Sequence, residues 1–201
     1  MQLQTPLDEV LEASANVRIL RAMVGLPRGF AASARDIARR AGVAHTTASR
    51  TLQSLARLRV VRWERVARAD LYRFNEQHVF SPALRALFDA ESGLSAELIG
   101  YLRKKLPAAV GKAEAAFVFG SASRGTMRSV SDIDVAVIAP TRPEAELEAA
   151  FSALAEDVRE RYGSSLNIVV GPNRRGPRRS KLWDRIEGEG IPLLPVSGKR
   201  G

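Results

Sequence analysis

Two carboxylates are spaced for metal chemistry within residues 117–137, which read FVFGSASRGTMRSVSDIDVAV. Asp132 and Asp134 stand two positions apart at the start of an apolar run that predicts a strand. Residues i and i+2 of a strand project to the same side, about 7 Å apart along the chain. Two carboxylates placed in this way can share a divalent cation such as Mg²⁺, which prefers oxygen ligands.

The beginning of the same segment carries groups suited to a phosphate. Gly120 permits close approach of the backbone to an anion, Ser121 offers a hydroxyl, and Arg124 can reach a phosphate oxygen. The pattern predicts a strand over 115–119, a short helix whose first amides point at the anion, and a second strand over 133–138. Together these groups predict a site that brings a metal ion and a phosphate group together.

This pattern resembles the nucleotidyltransferase signature of the DNA polymerase β superfamily, in which Gly-Ser and a later Gly precede an Asp-x-Asp pair. It is most similar to the minimal nucleotidyltransferases, and the resemblance covers about residues 110–196, including IEGEGIPLL near the end. The resemblance implies that Gly120 and Ser121 hold the triphosphate of ATP or another NTP, which is either a ligand or a substrate. It also implies that Asp132 and Asp134 bind Mg²⁺ and serve catalysis, in which metal ions clamp the attacking and leaving oxygens.

The resemblance further implies a third acidic residue on a later strand. Asn167 stands at that position, in the predicted strand SLNIVV of residues 165–170. An Asn side chain cannot accept a proton and is a weaker metal ligand than a carboxylate. Two interpretations stay open: the domain binds Mg-NTP without efficient transfer, or it transfers with two acids and a base from substrate or solvent.

Residues 33–58 have the spacing of a helix-turn-helix. Ser33 is a plausible N-cap for a helix over 34–41, Gly42 ends that helix, and a second helix follows over about 45–58. The exposed face of the second helix carries short polar or basic groups suited to base edges and phosphates. These are His45, Thr46, Ser49, Arg50 and Gln53.

Two β-type runs around a polar turn follow the second helix and predict a hairpin. Arg62, Arg65 and Arg68 lie on or beside this hairpin, where a wing would meet a DNA backbone. Trp63 is expected to be buried beneath the wing.

Residues 15–78, with the run ARDIARRAGVAHTTASRTLQSLARLRVVRW, resemble the winged helix-turn-helix domain of bacterial transcriptional regulators. The resemblance implies double-stranded DNA as the partner and a homodimer, with the helix after residue 80 as a possible dimer contact. Ala44 departs from the pattern, since such helices usually begin with Ser or Thr. A missing N-cap weakens a helix by about 1 kcal/mol and here removes one possible phosphate contact.

Composition and charge agree with a nucleic-acid partner. The 201 residues carry a net charge of +9, and residues 1–80 hold 13 basic against 7 acidic side chains. The absence of cysteine excludes disulfides, thiolate zinc sites and cysteine nucleophiles, and two histidines exclude a histidine-rich metal site. We expect no membrane partner and a cytoplasmic location, because neither a membrane-spanning run nor a secretory signal is evident.

We predict a mixed α+β or α/β chain in three parts. Residues 1–80 form the winged helix-turn-helix, 81–107 a linking helical segment that starts at Ser81-Pro82 and ends before Pro107, and 108–201 the nucleotidyltransferase-like domain. Further elements of the last part are a helix over 144–162, a strand over 166–170, a helix over 179–187 and a strand over 191–194. The basic run at 173–181 is either a phosphate or nucleic-acid contact or a solvated loop.

Three functions fit these observations. The leading one is a bacterial DNA-binding transcriptional regulator whose second domain binds Mg-NTP. The alternative is an active enzyme that transfers NMP from ATP to a protein, RNA or small-molecule hydroxyl, with the winged helix as a targeting module. The third is a scaffold that uses both domains for protein contacts.

Overall fold

The computed structural model describes residues 3–11, 15–125, 131–171 and 181–194. Its contacts divide the chain into two units, one of residues 5–92 and one of residues 93–201 with the first residues of the chain. This division falls inside the segment predicted to link the domains, 81–107. The three-part domain boundaries themselves stay a prediction.

The N-terminal unit combines short helices with a small antiparallel sheet in the strand order β1-β3-β2. Its helices are α1 (Leu7–Val10), α2 (Ala15–Val24), α3 (Ala34–Ala41), α4 (His45–Arg57) and the first part of α5 (Ser81–Val110). Its strands are β1 (Ala32–Ser33), β2 (Val61–Val66) and β3 (Ala69–Phe74). The predicted helices and hairpin are therefore confirmed, whereas β1, with two residues, was too short to carry a period and was missed.

A single apolar core holds this unit together. Ile19 and Met23 of α2, Ile37 of α3, Leu52 of α4 and Val61 of β2 are each 0% exposed. The helical members recur at the three- and four-residue spacing that places side chains on one face. The hairpin, whose strands pair in register from Val61–Phe74 to Val66–Ala69, extends away from this core.

Helix α5 differs from its prediction at its end. It runs unbroken for 30 residues, and Pro107 lies inside it instead of ending it. A proline inside a helix removes a backbone hydrogen bond and costs about 3 kcal/mol. Here Leu106 and Val110, both 0% exposed, anchor the turns around Pro107 in the core, and burial of this apolar surface offsets the cost.

The C-terminal unit is a four-stranded mixed sheet in the order β6-β5-β4-β7. The strands are β4 (Ala115–Phe119), β5 (Ile133–Ile138), β6 (Leu166–Gly171) and β7 (Ile191–Pro192). Helices α6 (Gly120–Arg124), α7 (Glu144–Tyr162) and α8 (Lys181–Glu189) join them. The pair β5–β6 is parallel and the other pairs are antiparallel.

The predicted elements of this unit are confirmed, with small differences at their ends. Helix α8 continues to Glu189, two residues beyond its predicted end, and β7 is shorter than predicted. The sheet packs α5 and α7 on one face, where Leu102, Val135 and Val158 are buried together. The other face packs against α8 through Ala136, Phe117 and Ile186. Side chains of even-numbered residues on β5 point to that second face.

None of the helices in the described ranges is both long enough and apolar enough to cross a membrane.

Candidate functional sites

The turn between α3 and α4 is fixed by local backbone chemistry. The Ser33 hydroxyl accepts a hydrogen bond from the backbone amide of Asp36 at 3.2 Å, so it caps α3 as predicted. The same hydroxyl donates to the Asp36 carboxylate at 2.7 Å, and this bond holds the pKa of Asp36 below its usual range. Gly42 then takes a left-handed conformation, with φ of 62°, and ends the helix.

Helix α4 presents the predicted polar residues to solvent. Its first residues follow Ala44, which offers no side-chain cap, as the sequence predicts. His45, Thr46 and Arg50 are exposed and Ser49 is half-buried. The opposite face holds Ala48, Leu52 and Leu55, all buried. This burial fixes the helix against the core and leaves the polar face available for a partner.

The predicted wing arginines are all exposed, but they differ in their contacts. The Arg62 guanidinium donates to Asn75 Oδ1 at 3.0 Å and to Gln77 Oε1 at 2.7 Å, which ties it to the base of the hairpin. Arg65 lies 3.9 Å from Asp70 in an open ion pair. Within the described part of the chain, no carboxylate pairs with Arg68 or with Arg50.

Trp63 is not buried beneath the wing, and that prediction is wrong. The residue is 53% exposed, although Val61, two positions earlier on the same face of β2, is 0% exposed. The alternation of β2 identified the face correctly. It could not show that the core covers Tyr72, the cross-strand partner of Trp63, and leaves Trp63 itself exposed.

The second candidate site joins three elements of the C-terminal unit. Asp134 of β5 pairs in register with Phe119 of β4 on one side and with Asn167 of β6 on the other. The Asn167 side-chain amide donates to Asp134 Oδ1 at 3.1 Å. Gly120 has φ of 74°, and a Cβ built at this position would lie 2.6 Å from Asp134 Oδ2. The Asp134 carboxylate is therefore held between the Gly120 backbone and the Asn167 amide.

The other predicted residues lie near this carboxylate along the chain. Asp132 is exposed just before β5, Ser121 is half-buried in the first turn of α6, and Arg124 is exposed at its end. Ser123, which was not predicted, donates its hydroxyl to the Gly120 carbonyl oxygen at 3.1 Å and braces the turn. Its position two residues after Ser121 carried no separate sequence signal. Most of the basic run at 173–181 lies outside the described residues.

The donor set fits one Mg²⁺ ion better than two. Asp132 and Asp134 offer carboxylate oxygens, and Mg²⁺ commonly takes one or two carboxylates, with water and substrate phosphates as its other ligands. In the described ranges no three His, Asp or Glu side chains come together as a metal site. The neighbour of Asp134 is instead the Asn167 amide, which donates a hydrogen bond and cannot act as a base.

Comparisons with known proteins match a segment of each unit to a family model. Residues 98–179 match the family model described as polymerase beta, nucleotidyltransferase. Residues 17–65 match the model of the IclR helix-turn-helix domain. Among curated protein sequences, none matches the chain.

A crystal structure of a mutant of the toxin–antitoxin MntA–HpeT is similar to part of the chain. It shares 24% sequence identity, covers 50% of this chain and 72% of that chain, and gives a TM-score of 0.33.

Proposed function

Because the chain carries an IclR-type helix-turn-helix domain and a polymerase β nucleotidyltransferase domain, we propose that it is a bacterial DNA-binding transcriptional regulator whose second domain binds Mg-NTP. The observation that carries the first half is the solvent-exposed polar face of α4 on a helix whose other face is fixed in the core. The observation that supports the second half is the Asp134 carboxylate held against Gly120.

The DNA contact follows from the spacing on α4 and from the wing. His45, Thr46, Ser49 and Arg50 lie within two turns and share one side of the helix, which would enter the major groove. Arg50 supplies a guanidinium for a guanine edge or a phosphate, and Thr46 a hydroxyl. The wing residues Arg65 and Arg68, with Arg62 at its base, would contact the backbone and add affinity without sequence preference.

A binding experiment on genomic duplex fragments tests this half of the proposal. The fragments that the full chain retains are selected from a pool of genomic fragments. The affinity for the best-binding fragment is then measured by fluorescence anisotropy at several salt concentrations. Replacing both Thr46 and Arg50 with Ala is expected to weaken binding at least tenfold. The control Arg142→Ala removes one charge from the other unit, where Arg142 lies 3.9 Å from Glu146, and should bind like wild type. Equal affinity of the Thr46/Arg50 variant and wild type would overturn the assignment of α4.

The nucleotide site would use the chain's own groups in separate roles. Asp132 and Asp134 would hold Mg²⁺, and Gly120, Ser121 and Arg124 would contact the triphosphate. When bound, Mg²⁺ would neutralise phosphate charge and polarise the phosphoryl group. Asn167 keeps one Asp134 oxygen in a hydrogen bond and supplies no base, which favours nucleotide binding over efficient transfer.

The alternative is a working transferase that moves NMP from ATP to a hydroxyl of a protein, RNA or small molecule, with pyrophosphate as the leaving group. The proton of that hydroxyl would pass to a base of the substrate or to solvent, because Asn167 cannot accept it. Incubation with ATP labelled on the α-phosphate and a cell extract tests it. Label transfer that disappears in Asp134→Asn would favour the enzyme, and unlabelled extract would favour the nucleotide-binding regulator.

We further propose that the regulator acts as a homodimer in the bacterial cytoplasm. Winged-helix dimers place two recognition helices on two half-sites one helical turn apart, which raises affinity. Leu87 on α5, 40% exposed, is a candidate contact. Sedimentation velocity of wild type and Leu87→Glu tests this point, and a monomeric wild type at micromolar concentration would contradict it.

A further inference from the structure

A groove lies within the N-terminal unit, between the second half of α4 and the inner face of the hairpin. Its volume is about 530 Å³, which falls within the ~300–1,000 Å³ range of small-molecule sites. Val61, 0% exposed, and Tyr72, 3% exposed, lie at its base, and Trp63 forms one wall. The opposite wall comes from α4, through Gln53 and Ala56.

The aromatic content of the groove follows from strand register. Trp63 of β2 pairs directly with Tyr72 of β3, so both rings stand on the same face of the hairpin. Tyr72 is covered by the core, whereas Trp63 keeps 53% of its surface exposed beside the groove. Burial and the neighbouring Asp70 raise the pKa of the Tyr72 phenol, so it stays a neutral hydroxyl at physiological pH. An indole face and a phenol thus line a space that a flat ring could enter.

The residues that line the groove carry more positive than negative charge. Arg57 and Arg59 line it, and within the described part of the chain neither guanidinium has a carboxylate partner. Asp70, on the far side, is the acidic lining residue, and it lies 3.9 Å from Arg65. Two uncompensated guanidiniums beside an aromatic wall are suited to a planar ligand that carries an anionic group.

Arg59 stands where the backbone favours glycine. Its φ is 59°, in the left-handed region that side chains with a Cβ rarely adopt. The Asn75 side-chain amide donates to the Arg59 carbonyl oxygen at 2.7 Å and holds the residue in this conformation. This conformation ends α4, because the Arg59 amide donates to the Ala56 carbonyl oxygen at 3.0 Å and the Val60 amide to the Leu55 carbonyl oxygen at 3.1 Å. The end of the helix therefore fixes the place at which Arg59 lines the groove.

We propose that this groove is a binding site for an aromatic anion, whose ring lies against Trp63 and whose anionic group contacts Arg57 and Arg59. Asp70 would accept a hydrogen bond from the ligand and would reject a second anionic group near it. A nucleoside monophosphate and an aromatic carboxylate share this chemistry. The proposal can be tested separately from the proposed function, since binding in the groove is measured without duplex DNA and without Mg-NTP.

Calorimetric titration of the full chain tests the proposal without any divalent cation present. Adenosine 5′-monophosphate is the probe in one arm and 2-aminobenzoate in the other, and they distinguish the two sources of the ligand. We expect at least one probe to bind at one site per chain. Trp63→Ala should weaken this binding at least tenfold, and Trp63→Phe, which keeps a ring, by no more than about threefold. The control Arg142→Ala, which removes one positive charge from the other unit, should bind like wild type.

Arg59→Gly separates a binding role from a structural one. Glycine relieves the left-handed strain, so the melting temperature should rise by about 2–4 °C while the probe binds at least fivefold more weakly. Absence of binding for both probes up to millimolar concentration would overturn the proposal. Equal binding by wild type, Trp63→Ala and Arg59→Gly would overturn it as well, because any site would then lie outside the groove.

Discussion

Gly120 illustrates how one residue can fix the chemistry of a neighbour. Its positive φ favours glycine, and its missing Cβ leaves room for the Asp134 carboxylate. The sequence predicted that a phosphate approaches the Gly120 backbone closely. The structure adds that Asp134 Oδ2 lies where the Cβ of a larger residue at position 120 would be.

Gly120→Ala should therefore impair both folding and ligand binding. We expect a loss of about 1–3 kcal/mol in the free energy of unfolding, from backbone strain and displacement of Asp134. Gly29→Ala is the matched control, because Gly29 has φ of 77° but nothing within 4 Å of a built Cβ, and it lies outside the proposed nucleotide site. It should show the cost of strain alone and keep its nucleotide affinity. Thermal unfolding and nucleotide titration of both variants measure the difference, and equal nucleotide affinities would contradict the steric role of Gly120.

Asn167→Asp should make the stability of the second unit depend on Mg²⁺. The change replaces the amide that donates to Asp134 with a second carboxylate, so like charges meet where a hydrogen bond stood. Without metal we expect a loss of about 1 kcal/mol, which millimolar Mg²⁺ should recover. Asn167→Ala loses the bond without adding charge and should recover less stability with Mg²⁺ than Asn167→Asp does. Thermal unfolding with and without Mg²⁺ measures the stability of both variants. An equal effect of Mg²⁺ on the two variants would contradict the prediction.

The residues that sequence could predict are those set by short spacing. Asp134 lies on the strand that its two-residue period predicted, Asp132 lies just before that strand, and Asn167 was identified through the resemblance. The exposure of Trp63 could not be predicted, because it depends on how the core covers the two paired strands. The hydrogen bond between Asn167 and Asp134 depends on the register of two strands that are distant in sequence.

At the scale of elements, α4 combines a well-buried apolar face with an N-terminus that has no side-chain cap. Leu52 and Leu55 hold it in the core, but Ala44 leaves its first amides without a side-chain acceptor. Helix α3 shows the opposite arrangement, since Ser33 supplies the cap. The sequence predicted both, because capping is local and depends on one side chain.

Ala44→Ser should stabilise the N-terminal unit by about 1 kcal/mol, since serine can accept a bond from an amide in the first turn. Ser33→Ala should destabilise the same unit by a similar amount. Chemical denaturation measures both free energies. No change in either variant would mean that solvent caps these helices equally well.

The beginning of α5 is tied to the preceding loop by an ion pair that should respond to pH. Arg85 donates to both carboxylate oxygens of Glu76, through Nε at 2.9 Å and through a second, closer contact, and this bond lowers the pKa of Glu76. A lowered folded-state pKa stabilises the fold above the ordinary carboxyl range, and the stabilisation is lost as the pH falls through the folded pKa.

Glu76→Gln should therefore cost about 0.5 kcal/mol at neutral pH, reduced by partial solvent exposure of the pair. The difference from wild type should disappear once the pH falls below the folded pKa of Glu76. Unfolding free energies of both proteins across an acid titration test this. A constant difference at all pH values would show that lost packing, not charge, is responsible.

For helix α5 the sequence predicted the start at Ser81 but not the end. Pro107 carries a strong local signal for termination, and the buried residues on either side of it oppose that signal. Such competition between local preference and packing is not visible in a single sequence. The same limit explains why β1, which exists only through its pairing with β3, was missed.

At the scale of the whole molecule, the chain joins a basic helix-turn-helix unit to a nucleotidyltransferase unit. The net charge of +9 suits an anionic partner for either unit. Composition and two short motifs predicted both units, because each depends on local spacing. The central claim is the proposal that the second unit binds a nucleotide together with Mg²⁺, which Asp132 and Asp134 would hold.

The most direct test is a calorimetric titration with a non-hydrolysable ATP analogue, with and without Mg²⁺. Wild type is compared with a variant that carries both Asp132→Asn and Asp134→Asn, and unfolding curves of both establish that the variant is folded. We predict Mg²⁺-dependent binding by wild type that the variant loses. Binding that is equal in the folded variant, or no binding of any of the four nucleotides by wild type, would contradict the account.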